Sequence, residues 1–273
     1  MSALPLFEIV PNISEGRSRA VVDACADAMA RAGARVIDRT SDRVHHRSVI
    51  TAVGTAEEVL AASVALAGVA SEQIDLRMHR GVHPRIGVLD VLPFVPLRSA
   101  TLTDAGALAR EAAAQIWLRY RIPSYYYGAA KLGGERTLPD VRRGGIPFDA
   151  GDALHPSAGA IAIGARDFLI AFNVELASGD VELARSIARR LRERGGGLAT
   201  LRALGLARAP GVVQVSFNIT DTEATPLYRV VELVRALAAE SGIEMVRSEL
   251  IGLVPRKALQ ATAAYYAHDE ATL

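Results

Sequence analysis

The sequence predicts an α+β chain made of two halves of the same plan. Three observations predict it. Short apolar runs alternate with stretches whose apolar residues recur at helical spacing. The segments follow the order β-α-β-β-α-β, the split β-α-β or ferredoxin-like arrangement, and that order occurs twice. A chain of 273 residues, 50% hydrophobic and 22% charged, can bury the core of one large domain or two small ones.

Each element has its own warrant. Leu4 to Val10 is apolar but for one acid and reads as a strand. It ends at the turn-rich Pro11-Asn12-Ile13-Ser14-Glu15-Gly16. A helix from about Ser18 carries Val21, Val22, Cys25, Ala26 and Met29 at helical spacing and stops at Gly33. Ala34 to Thr40, which holds Asp38, and Ser48 to Val53 read as strands joined by a short polar link. Thr55-Ala56-Glu57-Glu58 is a capping box opening a helix to about Ala70, and a strand follows from Val88 to Val95. Thr103 is read as the cap of a helix to about Tyr120, and Ser124 to Gly128 as a short strand. Lys131 to Ala150, rich in Gly, Arg and Pro, is read as an irregular loop. Ala158 to Ala165 and Phe168 to Leu176 read as strands around a turn at Arg166-Asp167.

The order then recurs, with Phe168 to Leu176 as its first strand. A helix from Asp180 to Arg194 is stopped by Gly195-Gly196-Gly197, and strands follow near Leu201 to Leu206 and Val212 to Thr220. A helix with Thr225 as cap and Pro226 as its first residue reaches Gly242. A strand covers Ile243 to Val254, and a last helix begins after Pro255. The division into subdomains is drawn at 1–177 and 178–273.

Composition excludes several classes of function. The formal net charge is +1, so nothing global points to nucleic acid or an anionic membrane as partner. The single cysteine, Cys25, falls in a helical pattern and reads as a small buried hydrophobe. No disulfide framework exists, which fits a reducing compartment. The N-terminus does not read as a signal peptide, and no apolar run approaches the length of a membrane span. A cytoplasmic protein is expected.

One stretch concentrates the chemistry: His79-Arg80-Gly81-Val82-His83-Pro84-Arg85-Ile86-Gly87. Pro84 restricts His83 to extended backbone angles. A histidine so held beside an arginine suits proton transfer on an anionic substrate. An ordinary surface loop has the same composition, and the local residues do not decide between the two. His45, His46, His79 and His83 invite a metal site, but Gly81 and Pro84 oppose the helix that the four-residue spacing would need, so no metal is expected. No glycine-rich loop leads into a Lys-Ser/Thr pair, and no GxSxG elbow occurs; nothing activates Ser157. Tyr125-Tyr126-Tyr127 on a strand sends one ring to one face and two to the other, which favours packing over ligand stacking. Asn12, Asp38 and Arg47 fall at or after strand ends, as turn residues or as functional ones.

Longer motifs then add what local chemistry lacks. They are Val10-Pro11-Asn12-Ile13-Ser14-Glu15-Gly16, His46-Arg47-Ser48-Val49, His83-Pro84-Arg85-Ile86-Gly87 with Asp90-Val91, and Asp140-Val141-Arg142-Arg143-Gly144. His155-Pro156-Ser157-Ala158-Gly159, Leu169-Ile170-Ala171-Phe172-Asn173-Val174, Gln214-Val215-Ser216 and Gly252-Leu253-Val254-Pro255 follow. In this order, across nearly the whole length, the chain resembles the formiminotransferase family. These are the glutamate formimidoyltransferases, also found as the N-terminal part of formiminotransferase-cyclodeaminases. The resemblance implies two ferredoxin-like subdomains with a groove between them, in a homodimer. It implies transfer of a formimino group from N-formiminoglutamate to N5 of tetrahydrofolate, which serves as co-substrate. It places the catalytic histidine on His83. It places folate binding on Ala150, Gly151, Asp152, Ala153, Leu154, His155, Pro156, Ser157, Ala158 and Gly159. Asn12, Asp38, His46, Arg47 and Arg85 become candidate substrate contacts, the arginines for carboxylates. The chain departs from the family in Val82, where a Glu is usual, in a short loop from Arg143 to Asp152, and in His46, where many relatives have Asn. Val82 and the short loop keep another one-carbon donor in view, such as formylglutamate or formiminoglycine; a non-catalytic folate-binding protein is a further alternative, against which His83 and Arg85 count.

Overall fold

The computed structural model describes residues 4–80, 85–134 and 136–269. It is an α+β structure with two sheets and, among the described residues, seven α-helices. The chain forms two compact units, 1–167 and 168–273.

The first unit begins with β1 (Leu6–Ile9) and β2 (Asn12–Ile13), then α1 (Arg19–Arg31), β3 (Arg35–Asp42), β4 (Arg47–Gly54), α2 (Ala56–Gln73) and β5 (Leu89–Arg98). It continues with α3 (Leu102–Tyr120), β6 (Ser124–Gly128), α4 (Leu138–Arg143) and β7 (Ile161–Ala165). Its sheet has seven strands. β1 and β2 both lie between β4 and β5, antiparallel to each, as two pieces of one interrupted line. The interruption is at Val10-Pro11. Proline lacks an N–H, and by register the break faces Pro93, which lacks one too, so no ladder donor is left unused there. Val10 N–H still reaches the Pro93 carbonyl at 3.3 Å. The turn-rich segment expected at 11–16 therefore holds a short strand. β3 borders β4, while β7 lies parallel to both β5 and β6.

Strand alternation sorts the residues of this sheet. Phe7, Ile9, Ile13, Ile50, Leu92, Phe94 and Ile163 are buried with Val22, Cys25, Met29, Leu66, Ala109 and Ile116 of α1, α2 and α3. The opposite face carries Glu8, Asn12, Arg47 and Thr51, and a smaller cluster of Val91, Tyr127, Val141 and Ala162. Tyr126 packs with the helices, and Tyr125 and Tyr127 with the smaller cluster, as alternation requires. Gly164 is where Tyr127 needs room: a Cβ there would meet its ring at 2.5 Å.

The second unit runs β8 (Ile170–Leu176), α5 (Val181–Leu191), β9 (Leu201–Ala209), β10 (Val212–Ile219), α6 (Leu227–Ala239), β11 (Met245–Ile251) and α7 (Arg256–Asp269). Its four strands are antiparallel in the order β11-β8-β10-β9. Ile170, Phe172, Val174, Val215 and Phe217 form one core with Ile187, Val230 and Val234 of its helices. The other face is polar. There the Glu175 carboxylate accepts from Arg208 Nε at 3.2 Å and Arg247 Nη2 at 2.9 Å.

Three expectations are corrected. The cap of α3 is Thr101, not Thr103: its hydroxyl accepts from Asp104 N–H at 3.2 Å while the Asp104 carboxylate accepts from Thr101 N–H at 2.9 Å. The 131–150 segment is not all loop, because α4 lies in it. Its start is Thr137, whose N–H and hydroxyl both donate to Asp140. Thr225 does not cap α6: its hydroxyl donates to the Ala199 carbonyl, and Pro226 occupies the cap position.

The reassigned cap is testable. Thr101→Ala should cost about 1 kcal/mol in urea unfolding and Thr103→Ala a few tenths at most. Equal costs at the two positions would contradict the capping geometry.

Candidate active site

The site grows from one buried charge. Asp90 is an acid in an otherwise apolar strand, with no exposed surface. A β-bulge explains where its side chain goes. Ile13 pairs with Leu89 and Asn12 with Val91, so Asp90 is the extra residue between them. The bulge lets it leave the core and join the face that carries Asn12 and Arg47. There Oδ2 accepts from Arg47 Nη1 at 2.5 Å and Arg142 Nη2 at 3.0 Å, and Oδ1 from Ile86 N–H at 2.7 Å. Burial pushes the Asp90 carboxyl up, but the two guanidinium groups and the Ile86 N–H outweigh it and hold its pKa below the carboxylate range. Arg47 is fixed at its other edge by the Asn12 carbonyl oxygen, which accepts from Nε at 3.0 Å and Nη2 at 2.9 Å.

A second cluster adjoins the first. Arg85 donates from Nη2 to the His45 carbonyl at 3.1 Å and from Nη1 to the His46 carbonyl at 3.3 Å, and it feels the charges of Asp90 and Arg47. His46 adopts a left-handed backbone, φ 50°, in the β3–β4 turn. Its Nδ1 accepts from Gly16 N–H at 3.1 Å, which leaves the proton of the neutral ring on Nε2. Burial lowers the His46 pKa, Arg17 and Arg85 add to that, and Glu15 opposes it. The turn itself is made by Asp42, whose Oδ1 accepts from Val44 and His45 N–H at 2.8 Å each.

The stretch 155–159 joins these clusters through backbone. His155 and Gly159 exchange N–H···O bonds of 3.2 and 3.1 Å, closing a tight turn. The Nδ1 of His155 accepts from Ala158 N–H at 2.9 Å inside it. Val88 N–H donates to the Ala158 carbonyl and Ala160 N–H to the Ile86 carbonyl, both at 2.9 Å, and Leu76 N–H donates to the Ser157 carbonyl at 2.9 Å. Only glycines allow this approach: a Cβ on Gly87 would collide with the Ala160 carbonyl, and one on Gly159 with that of Ile86. Upstream, the Ala150 carbonyl accepts from Ser124 N–H at 2.8 Å, while Leu154 is exposed.

The structure thus brings together Asn12, His46, Arg47 and Arg85 with the turn 155–159. It does not bring in Asp38, which pairs with Thr51 while Asp42 pairs with Arg47. Four residues of strand, roughly 13 Å, separate the two positions. Among the described residues, neither Asp38 Oδ2 nor Thr51 Oγ1 has a hydrogen-bond partner. His83, with Gly81, Val82 and Pro84, lies outside the described residues. Among the described residues no three His, Cys, Asp or Glu side chains group as metal ligands. Sequence reasoning passed over Asp90 and Arg142 as site residues. An acid inside an apolar strand was the signal for the first, since a buried charge must be paired. The Thr137-Leu138-Pro139-Asp140 capping box was the signal for the helix that carries the second.

Comparison with known proteins bears on the same residues. The sequence family described as "Formiminotransferase domain, N-terminal subdomain" matches residues 6–166, and "Formiminotransferase domain" matches residues 171–273. The chain is 38% identical to a protein of Thermoplasma acidophilum named glutamate formimidoyltransferase, over 96% of this chain and 92% of that one. It is 37% identical to a protein of the same name from Streptococcus pyogenes, over 97% and 94%. Rat formimidoyltransferase-cyclodeaminase is 37% identical over 97% of this chain and 53% of its own length.

Two predictions follow from the buried acids. Asp90→Ala removes the carboxylate that Arg47 and Arg142 share and should cost about 3–5 kcal/mol at neutral pH. A depressed folded-state pKa stabilises above the unfolded value and is lost as pH falls through the folded one, so the gap between variant and wild type should narrow below about pH 4. Glu8 has the opposite sign. Burial pushes its pKa up to about 7, with Arg166 pulling the other way. Ionisation of the unfolded chain then disfavours the fold increasingly from about pH 4.5 to 7, so Glu8→Gln should stabilise by up to about 3 kcal/mol above pH 7 and by little at pH 4. Urea midpoints across pH would show both, and a pH-independent Glu8→Gln effect would refute the second.

Proposed function

The chain belongs to the formiminotransferase family, and we propose that it moves a formimino group from N-formiminoglutamate to N5 of tetrahydrofolate, giving glutamate and 5-formiminotetrahydrofolate. The observation that carries this reading is the set of backbone bonds tying the turn 155–159 to residues 86–88. In this family resemblance the first stretch serves folate, and the second directly follows the Pro84-Arg85 pair after His83. The two lie side by side.

The chemistry fits the residue types. N5 attacks the amidine carbon, forming one C–N bond, and must lose its proton. The C–N bond to the glutamate nitrogen breaks, and that nitrogen must gain one. In this reading His83 takes the proton from N5 and returns it to the leaving nitrogen, as an imidazole titrating near neutrality can. Holding both substrates together supplies the proximity. Arg47 and Arg85 take substrate carboxylates, since planar guanidinium groups match them. Support for split β-α-β subdomains comes from the second unit, whose β-α-β-β-α-β order lies in an antiparallel sheet ordered β11-β8-β10-β9. Assembly as a cytoplasmic homodimer belongs to the same reading and is supported by the family resemblance alone.

A second donor is the runner-up, because this chain has Val82 where the family resemblance leads one to expect Glu. The experiment is turnover of tetrahydrofolate with formiminoglutamate, formylglutamate and formiminoglycine in parallel. Formiminoglutamate should be the best donor, and His83→Ala or His83→Asn should lower kcat by about 10²–10⁴ without unfolding the protein. Folate binding without turnover of any donor would refute the enzyme reading. Near-normal rates in both His83 variants would remove that residue from the mechanism.

A further inference from the structure

His79 has no part in the chemistry described so far. It follows the 3-10 turn Leu76–Met78, and its N–H donates to the Leu76 carbonyl at 3.2 Å. Its ring lies 4.1 Å from that of His46, tilted by 36°. The Nη1 of Arg85 is 2.8 Å from its Nδ1 and 2.5 Å from its Nε2. The carbonyl groups of Ser14 and His46 also face the ring and favour an N–H toward them. Arg85 is therefore held on two sides, by the His45 and His46 carbonyls and by this imidazole.

We propose that His79 is a positioning residue, whose imidazole sets the orientation in which the Arg85 guanidinium takes a substrate carboxylate. This rests on the proposed reaction and deepens it. The contact requires an uncharged ring, since a second cation cannot sit against a guanidinium at this distance without strong repulsion. The surroundings supply that state. Burial first, then Arg85 and His46, hold the His79 pKa at about 4. Among the described residues, the charged or titratable groups around this neighbourhood include Arg85, Arg17, Glu15, His46, Arg47, Asp90 and Arg80, which donates to the His79 carbonyl at 2.9 Å. In sequence His79 and Arg85 stand on either side of the stretch that includes His83. A substitution at His79 thus acts on donor binding through its partner and not by touching the reacting atoms. A histidine that merely filled space would tolerate any side chain of similar size, charged or not.

The test has two arms on the full chain. The first is nitrogen-15 NMR of the imidazole, which needs no turnover. The His79 ring should remain neutral down to about pH 5, and Arg85→Gln should raise its titration by at least about one pH unit, because a cation is removed. An unchanged titration would overturn the contact. The second arm measures formiminoglutamate by calorimetry and steady-state kinetics in His79→Ala, His79→Asn and His79→Lys. His79→Ala should raise Kd and KM for the donor at least about tenfold and leave the folate Kd within about twofold. His79→Asn, an uncharged acceptor, should recover most of the loss, and His79→Lys none. Wild-type donor affinity in His79→Ala, or equal losses in the Asn and Lys variants, would overturn the proposal. If His79→Ala fails to fold, the Asn and Lys pair decides. Wild-type protein that binds the donor without transferring the group would refute the reaction and leave the role of His79 standing.

Discussion

A carboxylate closed away from water between two guanidinium groups is the constraint on which the first unit's site depends. Asp90 cannot remain charged and buried unless Arg47 and Arg142 stay beside it, and each arginine gains its carboxylate partner from it. The three come from β5, β4 and α4, so this one interaction ties two strands that flank the β1–β2 line to each other and to a short helix. Asn12 and the Ile86 N–H complete the shell. Asn12, His46, Arg47 and Arg85, the candidate contacts for the donor, each lie on, or one residue away from, a group that this charge or its shell touches.

Much of the fold was legible because the cores are simple. Phe7 and Ile9 alternate with Glu8, and Ile50 and Ala52 with Thr51, so the strand period and the face to be buried can be read directly. What escaped turned on which of several local signals the chain uses, and in one case on a partner far along it. Thr101 and Thr103 are equally good caps in isolation. The one three residues before an acid, Asp104, is the one that the helix uses. Thr225 looked like a cap until its hydroxyl found the Ala199 carbonyl. Pro139 and the glycines around it disguised α4 as loop, although proline is tolerated in a first turn.

The site was legible by residue type and not by geometry. Asn12 and Arg47 could be picked out as polar groups near strand ends, and His46 and Arg85 from the motifs that hold them, and the four lie together. Asp38 was picked on the same grounds and sits apart, because position along a strand is invisible until the register is known. Asp90 was the reverse. A regular strand would have pointed it to the other side, and only a bulge, which composition does not announce, turned it. Local chemistry singled out His83, held by Pro84, and left His79 without a role. Family resemblance assigned His83, and packing against His46 and Arg85 distinguishes His79.

The parallel strand β7 has a consequence for how the molecule forms. The turn 155–159 leads directly into it, and β7 lies between β5 and β6 with a partner on each side. A strand inserted between two others can dock fully only after both are in place. Its pairing with β5 joins residues about seventy apart along the chain, a long loop to close before any contact repays the entropy. The two sides of the site therefore meet only where this long-range pairing is made. Without β7 in place between β5 and β6, the turn that leads into it would not be held against Gly87.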